Sequence, residues 1–269
     1  MSYRIEHDLN DGIERISYYP DNPRFETPIV FQHGAWHGAW CWRWWQELFA
    51  EWGWISHAHS LSGHGNSRRK RPMRLNTFQS YRETLRQEVE RCEKPPVVIG
   101  HSMGGMITQW YLRGVGDLPA VVLLASMPLH DYPPRYLMLD PTGLLLATLT
   151  FSGTPLIRTA KHVERLFISE GALMSGEQIK RKLNSESLFV TLQLSHLTWH
   201  PRRNPDTPVL VMAAENDIIF NVREERQMAE FYGGDFHLVE DTAHNIMMEK
   251  TYRESAKVLH DWFITKGIE

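Results

Sequence analysis

Gly100-His101-Ser102-Met103-Gly104 places a serine between glycines, where the apolar run Pro96 to Gly100 meets a segment of helical periodicity, HSMGGMITQWYLRG. A sharp strand-to-helix turn at this point forces the serine into a strained backbone region. It tolerates only tiny neighbours, which Gly100, Gly104 and Gly105 supply. The strain lifts the hydroxyl clear of the strand, and the helix N-terminus behind it favours developing negative charge. A serine hydroxyl is a poor nucleophile at neutral pH; it needs a general base within hydrogen-bond reach and a carboxylate to hold that base. His244, in Asp241-Thr242-Ala243-His244-Asn245, lies between the last expected strand and the last expected helix, where a loop can bring its imidazole over Ser102. The carboxylate is expected at the end of a strand between these two residues. Asp217, in Ala214-Glu215-Asn216-Asp217, is the first choice; Glu215 and Asp131 are the competitors.

Acyl chemistry also needs two N–H donors aimed at the tetrahedral oxyanion, each worth roughly 3 kcal/mol. Met103, directly after the serine, is expected to give one. The second is expected from the loop His33-Gly34-Ala35-Trp36-His37-Gly38-Ala39-Trp40, in which Gly34 turns the chain and Ala35 is small enough to present its N–H. Trp36 and Met127 are expected to line the substrate pocket, and the remaining tryptophans of that segment to pack in the core.

These residues require a frame. YRIEHDL and GIERISYY read as a hairpin around Asn10-Asp11-Gly12. Thr27 to Gln32, Trp54 to Ser60, Pro96 to Gly100, Ala120 to Ser126, Pro208 to Ala214 and Asp235 to Glu240 read as strands, several of them continuous apolar runs buried on both faces. Helices are expected over Ala39 to Glu51, Thr77 to Arg91, His101 to Gly114 and in the C-terminal ESAKVLHDWFITK. Strands alternating with helices imply a largely parallel sheet covered on both faces, an α/β fold. Between about Leu129 and Pro205 the rhythm breaks into helical segments only. The expected division is therefore a core of 1–128 and 206–269 with a helical cap inserted at 129–205. Its Leu144, Leu145, Leu146, Leu149 and Phe151 suit an apolar substrate, or equally a helix packed on the domain below.

With 29 Lys and Arg against 32 Asp and Glu, the net charge of −3 gives no global drive toward nucleic acid or anionic membrane, and the basic run Arg68 to Arg74 reads as a solvated loop. Neither a signal peptide nor a run of about 20 apolar residues is visible, so a cytoplasmic protein, monomer or homodimer, is expected, with Cys41 and Cys92 as free thiols. His57, His59 and His64 lack a carboxylate to complete a metal site, and Gly63 and Gly65 lack the rest of a dinucleotide fingerprint.

HGAWHGAW, GHGNS, GHSMGG, the Asp217 turn and the His244 loop, in this order, resemble the α/β-hydrolase superfamily along nearly the whole chain. The first of them is similar to the branch of methylesterases, hydroxynitrile lyases and related esterases. The resemblance implies an eight-stranded sheet whose first pairs are antiparallel. It also implies a Ser102–His244–Asp217 triad, an oxyanion hole of the Ala35 and Met103 N–H groups, and a cap that shapes substrate choice. Where relatives often carry an acid before the GHG loop, this chain has His59-Ser60-Leu61, which bears on loop packing. The expected activity is cofactor-free, metal-free cleavage of a small, largely apolar ester or lactone through an acyl-enzyme. The alternatives are C–C or cyanohydrin cleavage by the same triad and a binding scaffold without turnover.

Overall fold

In a computed structural model, residues 3–128, 140–187, 190 and 200–269 are described. The chain opens with β1 (Tyr3–Asn10) and β2 (Ile13–Pro20), an antiparallel pair closed at Asn10 opposite Ile13. Asp11 and Gly12 both take positive φ, 51° and 76°, which matches the twist of a two-residue hairpin. β1 is an exposed edge strand, and β2 joins the sheet by pairing antiparallel with β4 (Ser56–His59). From there the sheet is parallel: β3 (Ile29–Gln32), β5 (Val97–His101), β6 (Val121–Leu124), β7 (Val209–Ala214) and β8 (Asp235–Val239) complete the order β1-β2-β4-β3-β5-β6-β7-β8. The central strands are buried along their whole length, as their unbroken apolar runs require; β8, at the far edge, is half-exposed.

Helices α1 (Arg43–Trp52), α2 (Phe78–Glu90), α3 (Met103–Gly114), α7 (Val222–Tyr232) and α8 (Tyr252–Thr265) flank the sheet. The first helical segment begins as a 3-10 turn over Ala39–Trp42, and α1 ends at Gly53, whose left-handed φ of 99° closes the cap. Trp54, expected at the head of β4, instead completes that cap by donating its N–H to Phe49 O, so the strand starts two residues later. α2 starts on a reciprocal capping box between Thr77 and Ser80.

Between β6 and β7 the chain forms α4 (Pro141–Thr150), α5 (Ala160–Phe167) and α6 (Gly176–Lys182). The expected helical segment from Ser187 to Leu197 and the alternative acid Asp131 lie mostly or wholly outside the described residues. On α4 the expectation for the leucines fails. Only the small Gly143 and Ala147 face the body of the protein, so Leu145, Leu149 and Phe151 are 60, 69 and 52 % exposed. Close approach favours the small stripe of a helix that is apolar all round. Among the described residues no helix is long and apolar enough to cross a membrane.

The packing of α1 on α8 depends on Trp54, fully buried, stacked on Phe25 at 3.9 Å and donating its indole N–H to His260 Nδ1 at 3.0 Å. Trp54→Ala leaves a large cavity and an unmatched imidazole nitrogen. We expect a loss of about 3–5 kcal/mol in denaturant melts and a melting temperature lower by about 10 °C.

Candidate active site

Ala35 follows β3, Ser102 follows β5, Asp217 follows β7 and His244 follows β8. Because these strands are parallel, all four residues fall at the same carboxyl edge of the sheet. Ser102 takes φ 55° and ψ −121°, a conformation that costs a side-chain-bearing residue about 1–3 kcal/mol. It is held from both sides: its N–H donates to Leu124 O at 3.0 Å, while its carbonyl accepts from Gly105 N at 3.0 Å and Met127 N at 3.2 Å. The turn also packs directly on the loop after β3. A Cβ at Gly104 would sit 2.4 Å from Gln32 O and 2.6 Å from His33 O, and one at Gly34 would sit 2.9 Å from Ser102 Cβ.

Those contacts orient two peptides. In a trans peptide the C=O and N–H point in opposite directions, so tying down the carbonyl aims the amide. His33 Nδ1–H donates to Gly34 O at 2.7 Å, which turns the N–H of the same peptide, that of Ala35, the other way. The Ser102 carbonyl is tied as described, which turns the Met103 N–H out. Neither amide has an acceptor among the described residues, and both residues line one cavity with Ser102. Trp36 and Met127 line it too, together with Phe220. Trp42 and Trp45 are fully buried in the core.

Asp217 accepts the Ile219 N–H at 2.7 Å on Oδ1 and His244 Nδ1–H at 2.7 Å on Oδ2, with its side chain wholly buried. Glu215 is exposed and caps the Asp241 N–H at 2.9 Å, so it stands apart from His244. The His244 ring is packed by His101, Phe220 and Phe167, and its carbonyl accepts His101 Nε2–H at 3.1 Å. With Nδ1 donating to Asp217, Nε2 is left as the acceptor, and it has no partner among the described residues. The Ser102 hydroxyl makes no hydrogen bond to it in this conformation; such contacts often close only with substrate bound.

Several residues that matter here were not singled out from the sequence. His37 donates through Nδ1 to Ala35 O at 2.8 Å and accepts from Asn245 Nδ2 at 3.1 Å, clamping the loop after β3 to the His244 loop. The acid missing before the GHG loop is replaced from β2. Buried Glu14 accepts Ser60 Oγ–H at 2.6 Å and the Asn66 N–H at 3.0 Å. From the β6–β7 insertion, Phe167 packs on His244 and His37 and its carbonyl accepts the Asn245 N–H at 2.8 Å. Asn184 links Trp36 O to Gly65 N. Glu186, 1 % exposed, puts a carboxyl group in the wall of the cavity, where the sequence led us to expect apolar side chains. Only its surroundings in space reveal it, since it stands alone in its segment.

The three histidines weighed for a metal have protein partners: His57 bonds Ser17, His59 bonds Gln32 and His64 bonds Glu186. Burial pushes the His37 imidazole down to about 4 and those of His57 and His59 to about 3, and holds His33 and His101 well below the ordinary value.

A profile of the alpha/beta hydrolase family matches residues 29–258 of this chain. The protein belongs to the α/β-hydrolase family. It is 35 % identical to Methylesterase 10 of Arabidopsis thaliana over 118 residues, a match that spans 41 % of each chain. Among solved structures it is similar to a thermophilic esterase, with a TM-score of 0.73, 17 % identity and full coverage of both chains. It also resembles a malate-bound thermophilic esterase from Thermogutta terrifontis, with a TM-score of 0.69, 17 % identity and 99 % coverage of each. A soluble variant of monoglyceride lipase from Saccharomyces cerevisiae matches at a TM-score of 0.71 and 14 % identity, covering 99 % of this chain and 95 % of that one. At these identities the structural likenesses speak for the fold.

Two expectations follow from the packing and the charges. Gly104→Ala meets backbone carbonyls that no rotamer can move aside, whereas a Cβ at Gly114 meets only the far end of Arg82. Gly104→Ala is expected to lose about 1–3 kcal/mol or more in denaturant melts, and Gly114→Ala to stay within about 0.5 kcal/mol of the parent. The five depressed imidazoles are neutral when folded but titrate near 6.5 in the unfolded chain. Between that pH and their folded values the unfolded state binds more protons, so stability is full above about 6.5 and falls on acidification. Burial raises the carboxyls of Glu88, Glu225 and Glu249, which work in the opposite sense above their ordinary range, three groups against these five imidazoles and the partly buried His237 and His260, which burial lowers too. Thermal melts at constant ionic strength should show the melting temperature falling from pH 7 to pH 5, as the stability drops by about 1.4 kcal/mol per pH unit for each net proton taken up on unfolding. A flat profile would contradict this reading.

Proposed function

We propose that the protein is a serine hydrolase of small carboxylic esters, lactones included, working through an acyl-enzyme. One observation carries the proposal. The Asp217–His244 pair, the strained Ser102 and the two amides without acceptors, Ala35 and Met103, converge on the same edge of the sheet. In this reading His244 Nε2 takes the Ser102 proton as Oγ attacks the substrate carbonyl. The Ala35 and Met103 N–H groups receive the charge on its oxygen, and Asp217 stabilises the imidazolium through Nδ1–H. The imidazolium returns its proton to the leaving alcohol. Water, deprotonated by His244, then attacks the acyl-Ser102 ester and releases the acid and the free serine. No cofactor enters these steps.

Residues 129–205 act as the cap over a core of 1–128 and 206–269, and Phe167 and Asn184 are the points where that cap grips the site. The names of the methylesterase relative and of the esterase and lipase neighbours support ester cleavage.

The test is a panel of p-nitrophenyl esters of rising acyl length and several lactones, with a fluorophosphonate label for the nucleophile. Ser102→Ala should lose the label and lower kcat by about 10⁶-fold, and Asp217→Asn should lower it by about 10⁴-fold while the fold persists. A labelled Ser102 without ester or lactone turnover would replace this reading with C–C or cyanohydrin cleavage. A chain that takes no label would be a binding scaffold.

A further inference from the structure

Glu186 is a carboxylate that lines the cavity beside Trp36, Phe78, Met127 and Phe220, and the proposed chemistry does not use it. Its Oε1 accepts the Tyr81 hydroxyl at 2.8 Å and the Ser187 N–H at 2.7 Å, and its Oε2 accepts His64 Nε2–H at 3.1 Å. Tyr81 belongs to α2 and His64 to the GHG loop, so the core fixes the group from one side. The insertion fixes it from the other, since the Glu186 carbonyl accepts the Gly153 N–H at 3.0 Å. A carboxylate offers about four acceptor positions, and the described residues fill three of them, the fourth lying on Oε2. Beside an apolar occupant that position goes without the hydrogen bond it could accept, whereas an occupant that donates one adds it to those the group already makes.

We propose that Glu186 is the recognition point of a polar subsite, and that the substrate carries a hydrogen-bond donor, a hydroxyl or an ammonium group, on the part of the molecule that reaches this wall. This rests on the serine-hydrolase reading and narrows its substrate class from apolar esters to donor-bearing ones. The same carboxylate disfavours substrates that end in a carboxylate there.

The experiment uses matched p-nitrophenyl esters whose acyl chains, from four to eight carbons, end in a methyl, a hydroxyl, an ammonium or a carboxylate group. They are run on the wild type, Glu186→Gln and Glu186→Leu, with kcat/KM expressed per fluorophosphonate-labelled Ser102 so that misfolded protein does not count. At one chain length the wild type should prefer a donor-terminated ester over its methyl counterpart by at least about tenfold. Glu186→Gln should cut the advantage of the ammonium ester at least about tenfold, because the charge is gone while the shape is kept. Glu186→Leu should invert the order of hydroxyl and methyl esters.

A wild type that labels and turns over esters with no donor preference at any length overturns the subsite and leaves the hydrolase standing. So does a preference unchanged in Glu186→Gln and Glu186→Leu. Should Glu186→Leu take no label, the wild-type panel and Glu186→Gln decide. Absence of both label and turnover in the wild type removes the hydrolase reading, and this one with it.

Discussion

Two chain reversals, one after β3 and one after β5, touch backbone to backbone, and the rest of the site depends on that contact. Gly104 lies against the carbonyls of Gln32 and His33, and Gly34 against Ser102 itself. No side chain can be inserted between them, so each turn fixes the other. The strain in Ser102 persists because its peptide groups are over-determined, with its N–H donating to Leu124 O and its carbonyl accepting from Gly105 and Met127. The neighbouring strands β3 and β5 set the distance between the reversals, so the sheet register acts directly on the geometry of the two exposed amides.

Three imidazoles around this contact share one arrangement. His33 donates through Nδ1 to Gly34 O and accepts the Leu61 N–H at Nε2; His37 donates through Nδ1 to Ala35 O and accepts from Asn245 at Nε2. His244 also donates through Nδ1, to Asp217, but its Nε2 finds no protein partner among the described residues. The first two are spent on holding backbone and are kept neutral by burial. A neutral, fully bonded imidazole is a rigid spacer, and a spacer carrying no charge adds no field of its own at the two amides.

How much of this was legible in the sequence depends on how local each cause is. The strands of the central sheet announced themselves because burial on both faces demands continuous apolar runs, and Ser102 did so because a tight turn leaves a glycine pattern around it. Asp217 was separable from Glu215 only in space: both leave β7, but one turns inward to the Ile219 N–H and His244, and the other to solvent and Asp241. Glu14 and Glu186 were invisible, since each meets its partners across about 50 to 120 residues of chain. The leucines of α4 misled because a helix that is apolar all round does not say which stripe it buries. The backbone chose the stripe with Gly143 and Ala147, which allows the closest approach.

The insertion's hold on the site is narrow. Phe167 seals the His244 ring and bonds the next residue, Asn184 bridges the loops that follow β3 and β4, and Glu186 reaches a core tyrosine and a core histidine. Elsewhere α4 turns large apolar side chains outward. Ser102, His244 and the Ala35 and Met103 amides are themselves positioned by the sheet and the loops that leave its strands. Of the three insertion residues, Glu186 lines the cavity, Phe167 packs on the ring of the Asp217–His244 pair, and Asn184 holds the loop that carries Trp36. The wall of the cavity and the packing of that pair are therefore tied to a few residues of one insertion, while the placement of Ser102, His244 and the two amides rests on the sheet beneath.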